Sequence, residues 1–316
     1  MGSDFIERIR LMERGTVSRL PHGTAATSRR EEFTMDLGAQ PPRSPYCVAV
    51  LGLVGAARAA DKARADIADT LGEYAFGATT GLDSRTLGFL GVSRDEFLDA
   101  VRASRTDADL TGRLRASAGK TIDEIKQYNH SQRCRTADAG EARASFEARK
   151  AAIDRHDIRM VADMLDAEDV DDFGPPTDLT VGPPRSPYSG SLCGVIPLAR
   201  TADKGRAVLA GTAGEYHYGS DSGMDREVLK YLRIPIDDFT ELLRDADDEG
   251  ALAAALMGRI DRTGAEIDEY CRAWRATGPH AHMADNFVAR AEAAARPDID
   301  IYFDLLDVED AASFPR

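Results

Sequence analysis

Four consecutive residues could carry acid–base chemistry: Glu215, Tyr216, His217 and Tyr218. A carboxylate, an imidazole and two phenols supply a proton donor and a proton acceptor if they face one cleft, and loops held by a scaffold are where such groups gather. We predict that Glu215 and His217 form a proton-transfer pair and that a tyrosine hydroxyl donates to developing negative charge. The alternative is structural: both tyrosines anchor the loop through satisfied hydroxyls, and His217 is exposed.

Charged residues ahead of this loop could hold the charge of a substrate. Asp203, Lys204 and Arg206 lie on one predicted helix, and Arg185 stands next to prolines that keep its backbone extended and rigid. A guanidinium held in a fixed direction suits recognition of a carboxylate or phosphate, so these four residues are candidate substrate ligands. The alternative is a network of internal salt bridges, in which Arg185 pairs with a carboxylate and the helix is tied to the loop of Glu215.

Much of the sequence occurs twice. The hexapeptide Pro-Pro-Arg-Ser-Pro-Tyr begins at Pro41 and again at Pro183, a shift of 142 residues (183 − 41), and Gly-Glu-Tyr recurs at the same shift. A period this long indicates duplication of a whole domain, because solenoid units run to roughly 20 to 50 residues. The predicted division is an N-terminal extension over 1–35, a first repeat domain over 36–175 and a second repeat domain over 176–316.

The two copies differ where chemistry is expected. Ala75 occupies the position of His217, and Gln132 occupies the position of Trp274, the last of the candidate substrate-binding residues. We therefore expect one working site, in the second copy, beside a first copy that has lost it.

Composition excludes several classes of function. The formal charge of −14 argues against nucleic acid as a partner, because phosphate binding needs a clustered basic surface. The sequence has no apolar run of about 18 residues and no signal-like start, so neither membrane spanning nor secretion is predicted. Its 4 cysteines show no paired spacing, which fits free thiols in a reducing cytoplasm.

Neither a metal nor a cofactor is predicted. His280 and His282 are two residues apart in a Gly-Pro loop and lack a third ligand nearby in sequence. The acidic segments 166–172 and 304–310 lack the glycine and the 12-residue rhythm of a calcium loop. The sequence matches no phosphate loop and no dinucleotide-binding glycine pattern.

The elements that position these residues are predicted to be helices. Apolar residues recur with helical period through most of each copy, and Ser93 followed by Glu96 is a capping box. We include the apolar runs 48–54 and 192–196 in the first helix of each copy and expect Gly72 to end that helix. The predicted fold class is mainly α, with two tandem homologous helical domains that form a pseudo-dimer, since a duplicated gene commonly replaces a homodimer and keeps its twofold interface.

Several short sequences together resemble a known family. They are Pro-Arg-Ser-Pro, Asp-Lys-x-Arg, Gly-Glu-Tyr and the closing Phe-Asp-Leu-Leu-Asp, and they resemble the bacterial family called domain of unknown function 5069. The resemblance covers both halves, from Asp36 to Phe314, and the second copy keeps it better. It implies a tandem duplication of that domain, a fold and a set of motifs; it supplies no catalytic assignment.

Two hypotheses of function follow. The first is a cofactor-independent enzyme, of cyclase, isomerase or lyase type, that acts on a small anionic or polar metabolite in the second copy. The second is a non-catalytic module that binds a ligand or a partner, its charged residues holding the fold. A charged cleft in the second copy alone favours the enzyme, whereas both sets of charges buried in equivalent salt bridges favour the module. We expect a small-molecule ligand and a monomer with internal pseudo-twofold symmetry.

Overall fold

Each repeat forms seven α-helices in the computed structural model, which describes residues 35–77, 81–279 and 281–316. The predicted N-terminal extension lies outside the described residues except for Met35, which is buried against Leu37 and Ala65. The helices of the first repeat are α1 (Ala56–Ala68), α2 (Gly81–Leu90), α3 (Arg94–Arg102), α4 (Asp107–Ala118), α5 (Ile122–Arg133), α6 (Gly140–Ala152) and α7 (Val161–Phe173).

The second repeat has the same helices in the same order. They are α8 (Leu198–Ala210), α9 (Gly223–Leu232), α10 (Ile236–Asp245), α11 (Glu249–Met257), α12 (Gly264–Arg275), α13 (Ala284–Ala293) and α14 (Tyr302–Ser313), with short 3₁₀ turns at Gly219–Asp221 and Ala281–Met283. The described residues contain no strand. The prediction of a mainly α fold built from two tandem helical repeats is therefore confirmed.

Local sequence fixes several helix starts. The Ser93 hydroxyl accepts from the backbone N–H of Glu96 (3.2 Å), and the Glu96 carboxylate accepts from the backbone N–H of Ser93 (2.7 Å), so the predicted capping box is confirmed. The same box opens α5 at Thr121 and its equivalent α12 at Thr263. Each box satisfies backbone donors that would otherwise lack a partner at the helix start.

The prediction for the start of the first helix is wrong. The run 48–54 forms turns, and α1 begins only at Ala56. Leu51 (φ 61°) and Gly52 (φ 72°) are left-handed, as are their equivalents Cys193 and Gly194, and left-handed residues interrupt a right-handed helix. The apolar side chains of these runs are buried all the same, in the cores that the helices enclose.

The prediction for the end of that helix is also wrong. Helix α1 ends at Ala68 and is capped by Asp69, which is left-handed (φ 60°), and α8 ends at Ala210 and is capped by the equivalent Gly211. Gly72 serves another purpose, since a Cβ there would lie 3.1 Å from the carbonyl oxygen of Leu37. It permits the chain to pass close to the start of the repeat.

The two repeats exchange equivalent contacts across a shared core. Tyr46 and Tyr188, at equivalent positions, stack on each other with ring centroids 6.1 Å apart. Arg296 of the second repeat donates to the carbonyl oxygen of Val48 (2.9 Å), and its equivalent Arg155 of the first repeat donates to that of Ser191, one residue after the position that corresponds to Val48. Reciprocal contacts of this kind are those of a twofold interface, here within one chain.

One reciprocal pair has its charges reversed. Lys126 of the first repeat meets Asp300 of the second (2.6 Å), and at the equivalent place Asp268 of the second repeat meets Arg159 of the first (2.8 Å). Both pairs are attractive only when unlike repeats face each other. Two first repeats would place Lys126 against Arg159, and two second repeats would place the aspartates together.

Candidate functional site

The second repeat contains a cavity of about 390 Å³. It opens between the loop after α8, the start of α9, the end of α12, and helices α13 and α14. Five of the predicted site residues line it: Lys204, Glu215, Tyr216, His217 and Trp274.

An arginine, an aspartate and a tyrosine form the floor of this cavity. Arg200, which is 4% exposed, donates to Asp310 (2.7 Å), and the hydroxyl of Tyr216 donates to the other oxygen of the same carboxylate (2.7 Å). Burial raises the pKa of Tyr216, and Asp310 raises it further, so the phenol stays protonated. The tyrosine is therefore a fixed hydrogen-bond donor to a carboxylate that already has a cation.

Lys204 is held in a second buried pair. Its Nζ lies 2.7 Å from Asp225 Oδ1 and 3.1 Å from the hydroxyl of Ser222. Burial lowers the pKa of Lys204, and the charge of Asp225 opposes that shift. Asp225 also accepts from Thr201 (2.9 Å) and from the backbone N–H of Gly219 (3.0 Å). The ion pair between Lys204 and Asp225 thus links α8 to α9 and to the loop.

The remaining predicted residues of the loop differ in exposure. Glu215 and His217 are exposed on the rim, and within the described part of the chain neither side chain has a hydrogen-bond or ion-pair partner. Tyr218 turns away: its hydroxyl is 2.9 Å from that of Thr240, and its ring covers Gly205. The loop therefore presents to the cavity the carboxylate of Glu215, the imidazole of His217 and the phenol of Tyr216, whose hydroxyl already donates to Asp310.

Trp274 belongs to the core of the second repeat. It is 2% exposed and stacks on Phe303 with ring centroids 5.2 Å apart. Trp274 also lines the cavity. It can offer a ligand a small apolar contact.

Arg185, Asp203 and Arg206 lie elsewhere, in a buried cluster around Glu249. Arg185 donates to Asp203 (2.7 Å) and to Glu249 (2.6 Å), and Arg206 is 2.6 Å from the second oxygen of Glu249. Burial acts to raise the pKa of Glu249, but the charges of Arg185 and Arg206 outweigh it and lower the pKa to about 2. Arg185 therefore pairs with carboxylates, as the structural alternative expected, but this cluster does not include the loop of Glu215. It ties the Pro-Arg-Ser-Pro segment to α8 and α11.

The first repeat contains the equivalent cavity, of about 470 Å³. Arg58 donates to Asp169 (2.6 Å), and the hydroxyl of Tyr74 donates to the same carboxylate (2.7 Å). Lys62 lies 2.5 Å from Asp83, as Lys204 does from Asp225. The floor is therefore complete in both repeats, and the differences lie on the walls and rim.

The site contains residues that sequence reasoning missed. Arg290 pairs with Glu309 through two hydrogen bonds (2.8 and 2.6 Å), and in the first cavity Arg149 pairs with Glu168 in the same way. Both pairs are 19 residues apart in sequence. That shared spacing, visible once the second copy is aligned with a one-residue slip, was the signal that could have found them.

A third cavity, of about 140 Å³, lies where the repeats meet, and Asp166 and Asp307 line it from equivalent positions. Ser44 donates to Asp166 (3.2 Å), and Ser186 donates to Asp307 (2.9 Å). Burial raises the pKa of Asp166 to about 7 and also raises that of Asp307. The interface therefore holds two carboxyl groups that favour the protonated form.

The predictions about a metal site and a membrane-spanning segment concern residues that the structure describes only in part. His280 and the side chain of His282 lie outside the described residues. Within those residues, no group of three or more histidine, cysteine, aspartate and glutamate side chains is placed to hold a metal ion. In the same part of the chain, every helix is too short or too polar to cross a membrane.

Comparison with protein families gives a double match. The profile of the domain of unknown function DUF5069 matches residues 39–171 and 181–312. The chain belongs to the DUF5069 family. The two matches fit a tandem duplication of the DUF5069 domain, as the sequence predicted, and each spans one set of seven helices. A comparison with curated proteins gives no match.

Proposed function

We propose that this DUF5069 protein binds small polar molecules without transforming them, one in each repeat. The observation that carries the proposal is that one cavity occurs twice, over the same Arg–Asp–Tyr floor and beside a lysine that a buried aspartate neutralises. Both sets of charges are buried in equivalent pairs, which was the arrangement expected of a binding module. Cavities of roughly 300 to 1,000 Å³ with a few placed polar groups are typical of small-molecule sites.

The floor supports binding better than catalysis. Proton transfer needs a group that is positioned and free to change its protonation state. Lys204 is neutralised by Asp225, and Tyr216 donates to Asp310, so neither is free. Breaking one of these buried pairs would leave an uncompensated charge, so the pairs stay fixed. They give the cavity a rigid surface on which a ligand can dock.

A specific observation also favours the enzyme as a second candidate. Glu215, Tyr216 and His217 line the cavity of the second repeat together. A ligand could draw Glu215 and His217 into contact, since catalytic hydrogen bonds often form only in the substrate complex. The reaction would be of cyclase, isomerase or lyase type, with the proton moved between these two side chains.

The setting of the protein is part of the proposal. Its cysteines are unpaired, which fits a reducing cytoplasm. Because one chain supplies both halves of the twofold interface, we propose that it acts as a monomer with a small molecule as its partner.

Filling each cavity in turn tests the proposal. Leu165 and Leu306 stand at equivalent places on the two walls, so Leu165→Trp and Leu306→Trp are matched variants that block one cavity each. A metabolite library is screened by thermal shift against wild type and both variants. We expect ligands whose stabilisation is lost in one variant only.

The chemical fate of each ligand separates the two candidate functions. After incubation with the protein, mass spectrometry and NMR should recover the ligand unchanged. Conversion of the ligand that disappears in His217→Ala would reject the binding function in favour of the enzyme. Ligands that stabilise both filled variants as well as wild type would reject both candidates.

A further inference from the structure

Two arginines on the wall of the first cavity differ from its other cations in their partners. Arg85 projects from α2, and Arg135 follows the end of α5. Arg58, Lys62 and Arg149 each pair with a carboxylate, as described above. Within the described residues, neither Arg85 nor Arg135 has a carboxylate partner.

These two guanidinium groups act on each other. Arg85 donates through Nε to the amide oxygen of Gln132 (3.0 Å), which fixes one edge of its guanidinium. Burial lowers the pKa of Arg85, and the nearby charge of Arg135 lowers it further. Two like charges on one wall are unfavourable by themselves and become favourable when an anion lies between them.

The fold does not require this pair. The positions of Arg85 and Arg135 are occupied by Glu227 and Thr277 in the second repeat, which forms the same seven helices without them. Gln132, which orients Arg85, corresponds to the buried Trp274. Three linked differences therefore distinguish this wall of the first cavity from the same wall of the second.

We propose that the first cavity binds its ligand through an oxyanion, a carboxylate or a phosphate, held between Arg85 and Arg135. This inference rests on the proposed function, in which both cavities take ligands. Arginine suits the task because its planar donors match the oxygens of either group. Glu73 and Asp172 also line the cavity. Their negative charges repel an anion, so we expect the anionic group of the ligand to lie against the two arginines.

The test uses the full chain and two simple anions, inorganic phosphate and propionate. NMR titration follows the arginine Nε–H signals, and the tighter of the two anions shows which oxyanion the wall prefers. Arg135→Thr, which installs the residue of the second repeat, should weaken binding roughly tenfold or more, the effect of losing one charge-assisted hydrogen bond. Arg113→Thr removes the same charge from an exposed site on α4 and should leave binding unchanged.

The cavity-filling variants locate the bound anion. Leu165→Trp should abolish binding, and Leu306→Trp should leave it intact. The proposal is overturned if neither anion binds wild type, or if Arg135→Thr and Arg85→Gln bind as wild type does. If that happens while some library ligands still lose their thermal stabilisation in Leu165→Trp, only this inference fails and the proposed function stands. If no ligand responds to either filled variant, the proposed function has failed as well.

Discussion

Replacing Asp166 with asparagine is expected to change how the stability of the protein depends on pH. Asp166 is 4% exposed and lies at the junction of the repeats, where Ser44 donates to it and Ser189 of the second repeat hydrogen-bonds with it. Burial raises the pKa of its carboxyl from the ordinary value of 3.8 to about 7; Asp169 raises it too, whereas the two serines and Arg58 lower it. The folded protein therefore favours the protonated form.

The sign of the effect follows from this raised pKa. Well below the unfolded pKa of 3.8 both folded and unfolded chains hold the proton, and the contribution to stability is complete. As the pH rises towards 7, the unfolded chain releases its proton first, and the contribution is lost. A shift of about three units corresponds to a loss on the order of 4 kcal/mol, at 1.36 kcal/mol per unit. Asparagine has the shape of the protonated acid and carries no charge at any of these pH values.

Urea unfolding at about pH 4.5 and about pH 8 measures the difference. The free energy of unfolding of Asp166→Asn relative to wild type should rise between these values by roughly 3 kcal/mol. Asp171→Asn changes an exposed residue on the same helix and serves as the control. A difference between Asp166→Asn and wild type that is constant with pH, or that shrinks at high pH, would refute the reasoning.

Three further changes have expected outcomes. Arg185→Met should cost about 3 to 5 kcal/mol in urea unfolding, because it leaves the carboxylates of Asp203 and Glu249 buried beside one remaining cation. Lys126→Asp should lower the free energy of unfolding by up to about 1 kcal/mol, and adding Asp300→Arg should restore most of that loss, because the two side chains form an exposed ion pair. A double-mutant cycle measures the interaction. His217→Ala should shift stability by less than about 0.5 kcal/mol in thermal unfolding, since the side chain is exposed and unpaired among the described residues.

Each of these three predictions has a contrary result. A loss below about 1 kcal/mol in Arg185→Met would mean that its cluster does not brace the fold. Additive losses at Lys126 and Asp300 would mean that the two side chains do not interact across the repeats. A large loss in His217→Ala would show that the histidine has a structural partner.

The helical fold was predictable because its signals are local. Helical period and capping boxes depend on residues three or four apart, and the alignment of the two copies indicated a domain repeated in tandem. The starts of α1 and α8 were missed for a physical reason. The runs 48–54 and 192–196 are apolar because they are buried between helices, and their left-handed residues, Leu51 and Cys193, are of types that rarely adopt that conformation.

Part of the site could also have been sorted from the sequence. Asp203 and Arg206 are three apart on α8 and share one face, whereas Arg200 and Lys204 are four apart and share another. Helical geometry separates Arg206 from Arg200 and Lys204, but Asp203 is three residues from both Arg200 and Arg206 and could not be assigned by spacing alone. The partners that each charge meets in the folded protein could not be predicted. Asp310 pairs with Arg200 across 110 residues of sequence, and no local pattern determines that pairing.

The claim of one ligand site in each repeat is tested most directly by counting bound molecules. Native mass spectrometry is performed with the ligands of both cavities at saturation, on wild type, Leu165→Trp, Leu306→Trp and the double variant. The account predicts two bound molecules in wild type, one in each single variant and none in the double variant. The same number of bound molecules in all four proteins would contradict it.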